Sequence, residues 1–227
     1  MTGRDNSLWL QFWRDKRNDF HQETVNQLLT RFWLSFDPHP GGRVFVPLCG
    51  KSLDMLWLAS QGYEVIGVEL STVAVKAFFA ENHLQPTKRK IGKFTLWRHG
   101  KIGILCGDYF SLTKSDLGQI DIVYDRAALT ALPEAIRAQY VSHLQRILPE
   151  KIKIFLLTAE DAEESPDDSI MIDAEIVTLF STEFHIELTH VEKVWEDSGL
   201  TSQPPEQIQY KLYRVTNRYM PTAVDLM

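Results

Sequence analysis

One stretch of the sequence, residues 43–69, restricts the possible folds more than any other. It begins with an apolar run over 44–46 that lacks alternation, which predicts a strand buried on both faces. A tight turn and a helix over 53–59 follow, and then a second apolar strand over 64–68 that stops at acidic Glu69. Strand, turn, helix, strand and acid form the first half of a nucleotide-binding crossover, in which the acid accepts both ribose hydroxyls.

The turn after the first strand contains a single glycine, Gly50, where a dinucleotide-binding loop carries three. A pyrophosphate needs several backbone N–H groups at close range, whereas a nucleoside without phosphates does not. The turn therefore favours S-adenosylmethionine over NAD as the cofactor. On spacing alone, two alternatives stay open: a nicotinamide-dependent oxidoreductase, and an α/β domain whose second strand ends at an acid by chance.

The bulk composition narrows the function further. With 227 residues, 44% of them hydrophobic, the chain predicts one sizeable α/β domain. The net charge of −6 argues against a nucleic-acid surface or a polybasic membrane surface. We find no apolar stretch of membrane-spanning length, no signal-peptide pattern and no apolar stripe typical of a dimer. We therefore expect a cytoplasmic monomer in which Cys49 and Cys106 are free thiols.

The N-terminal segment is rich in aromatic residues. Trp9, Phe12 and Trp13 share one face of a predicted helix, and a second helix is predicted over 25–36. This aromatic face fits an ordinary helix packed on the core, and it also fits a lid over a ligand.

Polar residues follow several of the other predicted strands. The remaining strands are predicted over 94–98, 102–105, 120–125, 152–158, 184–191 and 208–215, and the remaining helices over 73–82, 133–148 and 172–180. Glu69, Asp108, Asp125 and Arg126 all lie at strand ends, where ligands gather in doubly wound sheets. Asp108 either accepts from an adenine amino group or only terminates a strand. Asp125 either orients the Arg126 guanidinium or forms a surface ion pair with it.

Two long motifs carry a family resemblance. They are Val46-Pro-Leu-Cys-Gly-Lys-Ser-Leu-Asp-Met-Leu-Trp-Leu-Ala59 and Gly67-Val-Glu-Leu-Ser71. Further matches are Trp13 and the segments 20–22, 107–110, 124–128 and 131–133. With these motifs the chain resembles the thiopurine S-methyltransferase family, closest to its bacterial branch, from about residue 9 to residue 148.

The resemblance implies a class I S-adenosylmethionine-dependent methyltransferase. Its fold would be a Rossmann-like, seven-stranded, mostly parallel sheet with helices on both faces and an antiparallel last strand. Within a single domain over 1–227, an N-terminal helical lid would cover 8–36. The cofactor half would cover 43–148, and the acceptor half 149–216.

The resemblance also assigns roles to individual residues. Trp13, Leu48, Glu69 and Arg126 would line the cofactor site, and Phe20 would lie near the acceptor. Arg126 has a second possible role beside an anionic acceptor. From its strand-end position, Asp108 is a further candidate for the adenine.

We expect methyl transfer from S-adenosylmethionine to the sulfur of a small aromatic or heterocyclic thiol, or to selenium or tellurium. Since the cofactor supplies the leaving group, we assign neither a general base nor a metal. Two segments depart from the family pattern: the acidic stretch 163–168, and the interval between Lys193 and Lys211, which holds no basic residue. The alternatives are therefore a methyltransferase with another small-molecule acceptor and a non-catalytic S-adenosylmethionine-binding protein.

Overall fold

A computed structural model describes residues 6–15, 21–161, 173–196 and 206–218. Within these ranges the chain has a mixed α/β architecture. Its contacts divide it into two compact units, with the boundary between Tyr124 and Asp125. No helix in the described ranges has both the length and the apolar character needed to cross a bilayer.

The strands and helices, in chain order, have the following bounds. The strands are β1 (Arg43–Val46), β2 (Glu64–Glu69), β3 (Thr87–Ile91), β4 (Phe94–His99), β5 (Ile102–Cys106), β6 (Ile122–Arg126), β7 (Lys153–Asp161), β8 (Phe184–Glu196) and β9 (Glu206–Asn217). The helices are α1 (Asn6–Arg14), α2 (Gln27–Phe32), α3 (Asp54–Ser60), α4 (Thr72–Glu81), α5 (Lys114–Leu117), α6 (Glu134–Ile147) and α7 (Ala174–Phe180). Two 3₁₀ turns cover Trp33–Phe36 and Tyr109–Ser111.

In the first unit the strands follow the order β3-β4-β5-β2-β1-β6. β1 lies between β2 and β6 and pairs with both in parallel, and β2 pairs in parallel with β5. The side chains of Val44 and Phe45 on β1 are fully buried, which explains why this strand shows no polar alternation. The carboxyl ends of β1, β2 and β5 therefore meet at one edge of the sheet.

β3 is a strand that the sequence patterns did not predict. It pairs antiparallel with β4 at the edge of the first unit's sheet. Lys88, Arg89 and Lys90 are exposed, and the Lys88 ammonium lies 3.8 Å from the centre of the Trp97 ring. The described chain therefore has nine strands where the resemblance implied seven, because the β3–β4 hairpin precedes the parallel strand β5.

The segment before β1 is fixed by a buried hydrogen-bond network. The Asn26 side chain accepts from the N–H groups that begin α2, and this cap limits the predicted helix 25–36 to α2 and a following 3₁₀ turn. The Asn26 N–H donates to Asp54 Oδ1 and the Tyr124 hydroxyl donates to Asp54 Oδ2, both at 2.8 Å. The Asp54 carboxylate thus joins α2, α3 and β6.

In the second unit β9 pairs antiparallel with both β7 and β8, which agrees with the expected antiparallel last strand. A bulge between Leu188 and His190 interrupts the β8–β9 register. The predicted end of this strand at residue 158 was wrong, because β7 continues to Asp161 through pairing with β9. The acidic stretch 163–168 lies outside the described residues.

Candidate functional site

The turn after β1 is held in a left-handed conformation. Leu48 has φ +45° and Gly50 has φ +53°. The Cys49 N–H donates to the Val68 carbonyl at 3.0 Å, and the Ser52 N–H donates to the Cys49 carbonyl at 3.1 Å. A positive φ is costly for leucine, so this backbone shape is maintained by its hydrogen bonds to β2 and within the turn.

Glu69, the last residue of β2, is bound by the same turn. Its Oε2 accepts the Gly50 N–H at 3.0 Å and its Oε1 accepts the Ser71 N–H at 2.6 Å. Only 6% of the residue is exposed. The predicted acid therefore connects the turn after β1 to the start of α4, where the Ser71 side chain caps the helix.

Burial dominates the electrostatics of Glu69. Loss of solvation raises the pKa of its carboxyl from 4.5 to about 7, although the N–H groups of Ser71, Gly50 and Leu70 favour the charged form. The neighbouring thiols respond in the same direction. Burial, with a smaller contribution from the Glu69 charge, raises the pKa of Cys49 and, to a lesser degree, that of Cys106. Both cysteines are free, as expected from the sequence.

Two close packings shape the turn. A Cβ built on Gly50 would lie 3.2 Å from Cζ2 of Trp13, so the buried Trp13 ring of α1 packs directly on the turn. A Cβ built on Gly67 would lie 2.6 Å from Cys49 Sγ, closer than real side chains approach. Space therefore favours glycine at residue 67, whereas at residue 50 the positive φ favours it and the Trp13 ring leaves little room for a side chain.

Asp108 lies just beyond the carboxyl end of β5, next to the strand that ends at Glu69. Its Oδ1 accepts the Phe110 N–H at 3.0 Å and caps the 3₁₀ turn that follows. The Gly107 N–H donates to the Glu69 carbonyl at 2.9 Å, and Cys106 is the register partner of Glu69. Asp108 is half-buried. Because it caps this turn, it has the structural role of a strand terminator independently of any contact with a ligand.

In the second unit, Asp125 and Arg126 are the last residues of β6. Asp125 is fully buried, and its Oδ2 accepts the Tyr140 hydroxyl at 2.6 Å. Its Oδ1 accepts the N–H groups of Ala128 and Leu129 at 3.1 and 3.4 Å. Burial raises the pKa of Asp125 to about 6, partly offset by the Tyr140 hydrogen bond.

The orientation of the Arg126 guanidinium by Asp125 stays a prediction, and the Asp125 carboxylate has other donors in the structure. Neighbouring side chains on a strand point to opposite faces, and both Asp125 oxygens accept from Tyr140 and the following turn. Arg126 itself is half-buried.

The first unit thus brings Trp13, Leu48 and Glu69 together around one turn. Asp108 lies just beyond the end of the neighbouring strand β5, and Arg126 belongs to the other unit. Phe20 lies outside the described residues. Sequence reasoning missed the Gly50 amide as a Glu69 donor and Tyr140 as an Asp125 donor, and neither has a signal in residue spacing. Nowhere in the described ranges do three His, Cys, Asp or Glu side chains form a group suited to a metal ion.

Sequence comparison gives a consistent result over nearly the whole chain. The family model for thiopurine S-methyltransferase matches residues 4–218. The chain is 56% identical over 220 residues to the thiopurine S-methyltransferase of Stutzerimonas stutzeri (strain A1501), covering 96% of this chain and 93% of that protein. It is 46% identical over 182 residues to the thiopurine S-methyltransferase of Nitrosospira multiformis, covering 79% and 83%.

Solved structures show the same fold. A methyltransferase of Anabaena variabilis described as SAM-dependent superimposes with a TM-score of 0.63 at 16% identity, covering 96% of each chain. The 1,6-didemethyltoxoflavin-N1-methyltransferase of Burkholderia thailandensis, crystallised with S-adenosylhomocysteine, gives a TM-score of 0.59 at 13% identity, covering 91% of this chain and 86% of that one. At these identities the likeness establishes a methyltransferase-like α/β fold.

Proposed function

We infer that this chain, which belongs to the thiopurine S-methyltransferase family and is an S-adenosylmethionine-dependent methyltransferase, acts on the sulfur of a small aromatic or heterocyclic thiol. The observation that carries the inference is the hydrogen-bonded unit of Glu69 and the turn after β1. This unit suits a nucleoside cofactor, and the family supplies the expected acceptor class.

The donor set around Glu69 fits the adenosyl group. An ionised carboxylate offers about four lone-pair directions, and the Gly50 and Ser71 amides use one on each oxygen. Each oxygen therefore keeps capacity to accept one hydroxyl of a ribose diol. We propose this role for Glu69, since a vicinal diol presents two donors at the spacing of two carboxylate oxygens.

We propose roles for the other predicted residues from the resemblance. The Leu48 turn borders the adenosyl cleft, and Trp13, which packs on that turn, covers the methionine end of the cofactor. Asp108 accepts from the adenine amino group. Arg126 holds the methionine carboxylate, for which a planar guanidinium is well suited.

The chemistry needs little from the protein beyond positioning. When bound, S-adenosylmethionine supplies an electrophilic methyl group on a sulfonium, and its loss leaves a neutral thioether. A soft sulfur nucleophile that is partly ionised near neutral pH needs no dedicated general base. The protein residues bind and orient the two reactants and exclude water. We propose Phe20 as an acceptor contact, and selenium or tellurium species as further acceptors of similar softness.

A titration with S-adenosylhomocysteine tests the cofactor site. Glu69→Ala should weaken binding by about 1.5–3 kcal/mol, the range for hydrogen bonds to a charged group. Glu64→Ala is the matched control, because it removes a carboxylate from the opposite end of the same strand, where Glu64 pairs with Arg43 at 2.7 Å. Equal affinities of Glu69→Ala and Glu64→Ala would remove Glu69 from the site.

A panel of paired acceptors tests the reaction. Aromatic thiols, heterocyclic thiones and aliphatic thiols are compared with their hydroxyl and amine analogues, and the methylated atom is identified by mass spectrometry. We expect turnover of the aromatic and heterocyclic sulfur compounds. Methylation confined to oxygen or nitrogen would refute the proposed acceptor while leaving the cofactor assignment intact.

A further inference from the structure

We propose that Tyr140 and Arg137, on α6, are positioning residues that fix Arg126 by holding the turn that follows it. The inference rests on the proposed function in one respect, the use of Arg126 to bind the cofactor. Its physical basis lies entirely within the second unit.

The backbone after Arg126 reverses sharply. Ala127 has φ +56°, a left-handed conformation that a non-glycine residue adopts at a cost. Its N–H donates to the Leu157 carbonyl of β7 at 2.8 Å, which anchors the residue next to Arg126. Two further amides of the turn, those of Ala128 and Leu129, donate to Asp125 Oδ1. Arg126 therefore stands between a buried carboxylate and the turn that this carboxylate organises.

Tyr140 holds that carboxylate from the opposite side. Its ring is fully buried, and its hydroxyl donates to Asp125 Oδ2 at 2.6 Å. Without the hydroxyl, Asp125 would lose its side-chain donor within an apolar environment. The carboxylate would then rotate or take up a proton, and its hold on the amides of the turn would weaken.

Arg137 holds the other end of the same turn. It precedes Tyr140 by three residues on α6, so the two side chains lie on neighbouring positions of one helix face. Its Nε donates to the Leu132 carbonyl at 2.8 Å and its Nη2 to the Thr130 carbonyl at 3.0 Å. Its Nη1 pairs with Glu175 at 2.7 Å. The helix thus fixes both ends of the segment 128–132, which begins two residues after Arg126.

A general contribution to the core is the competing explanation for Tyr140. It predicts that Tyr140→Phe lowers stability without affecting the cofactor. The chain offers a matched control in Tyr124→Phe, which deletes another buried tyrosine hydroxyl that donates to another buried carboxylate, Asp54, at 2.8 Å. Both variants keep the ring and lose the hydrogen bond to the carboxylate.

The first measurement observes Arg126 directly. In protein labelled with ¹⁵N-arginine, the Arg126 Nε–Hε signal, assigned with Arg126→Lys, should shift and show increased mobility in Tyr140→Phe and in Arg137→Met. It should stay unchanged in Tyr124→Phe. Arg137→Met removes the hydrogen bonds at the other end of the same turn, so it provides an independent test if Tyr140→Phe folds poorly.

The second measurement is the affinity for S-adenosylhomocysteine. Tyr140→Phe should raise Kd about tenfold, the effect of one hydrogen bond to a charged group, with kcat at saturating cofactor changed less than about twofold. Tyr124→Phe should leave Kd within about twofold. In an Arg126→Ala background, Tyr140→Phe should have no additional effect, because the residue that it positions is absent.

The outcomes distinguish the positioning of Arg126 by α6 from the proposed contact of Arg126 with the cofactor. If the Arg126 signal does not change in either α6 variant, the positioning inference is overturned. If the signal changes but Arg126→Ala leaves cofactor affinity unaltered, positioning stands and the proposed cofactor contact of Arg126 fails. If Tyr140→Phe and Arg126→Ala weaken the binding of S-adenosylhomocysteine additively in the double variant, Tyr140 contributes only to general stability, and the inference is also overturned.

Discussion

The binding of S-adenosylhomocysteine should weaken as the pH falls below 7, because the ribose acceptor must be ionised. In the unliganded protein, burial raises the pKa of Glu69 to about 7. Two hydroxyl donors would favour the charged form and lower that pKa in the complex. Binding therefore requires loss of a proton from the fraction of molecules in which Glu69 is neutral.

The magnitude follows from the pKa of the free site. At pH 6 about one molecule in ten would carry an ionised Glu69, so the apparent Kd would be about tenfold weaker than at pH 8, or about 1.4 kcal/mol. Each further pH unit below 6 would weaken the apparent Kd by a similar factor, until the pH reaches the pKa of Glu69 in the complex. Proton release on binding should be about one half at pH 7.

Calorimetry from pH 5.5 to 8.5, in buffers with different ionisation enthalpies, measures both affinity and proton release. Glu69→Gln is the control, since it cannot ionise and should bind weakly with little pH dependence. Any dependence that remains belongs to other groups such as Asp125, whose pKa is raised to about 6. A Kd that stays constant from pH 8 to 6 in the unmodified protein, without proton release, would refute the reasoning.

Three further predictions concern stability. The pKa values of Glu69 and Asp125 are higher in the folded protein than in the unfolded chain, so both groups stabilise the unliganded fold below pH 4. This contribution is lost as the pH rises through 6 and 7. The free energy of unfolding measured in urea should therefore decline by about 3 kcal/mol per group at most. Gly67→Ala should cost about 1–3 kcal/mol through its clash with Cys49 Sγ, and adding Cys49→Ala should recover most of the loss in the same unfolding assay. Asp54→Asn should cost about 1–3 kcal/mol, because one of its two buried donors loses a proper acceptor, and an unchanged midpoint of urea unfolding would contradict the network's importance.

The sequence predicted best those elements whose burial is visible in composition. β1 was recognisable because both of its faces are covered, so residues 44–46 are uniformly apolar. β3 was missed because four of its five residues are polar or basic and exposed, so it carries no hydrophobic pattern. The far end of β7 was missed for the same reason, since its acidic residues are held in register by β9. Strand segments made of polar residues carry little hydrophobic signal.

The candidate site also has features that the sequence predicted and features that it did not. The position of Glu69 after an apolar strand was enough to propose it as an acceptor, and the structure adds the two amides that hold its carboxylate. The left-handed Leu48 was not foreseeable, since leucine has no preference for that conformation. From the sequence, only the adjacent Arg126 was considered as a partner of Asp125. In the structure, the hydroxyl of Tyr140 donates to Asp125, although Tyr140 is fifteen residues away. Contacts between distant residues depend on packing that local spacing does not encode.

The exposed β3 strand has a consequence for how copies of this protein meet. An edge strand presents N–H and C=O groups that can pair with the edge of a second molecule. If two copies joined antiparallel through β3, the Lys88, Arg89 and Lys90 side chains of each would face their counterparts across about 5 Å. This repulsion acts as a charge barrier against sheet extension at low ionic strength. Near 1 M salt, where screening shortens the range of such forces to about 3 Å, the barrier would largely disappear, and crowded protein would be most prone to associate.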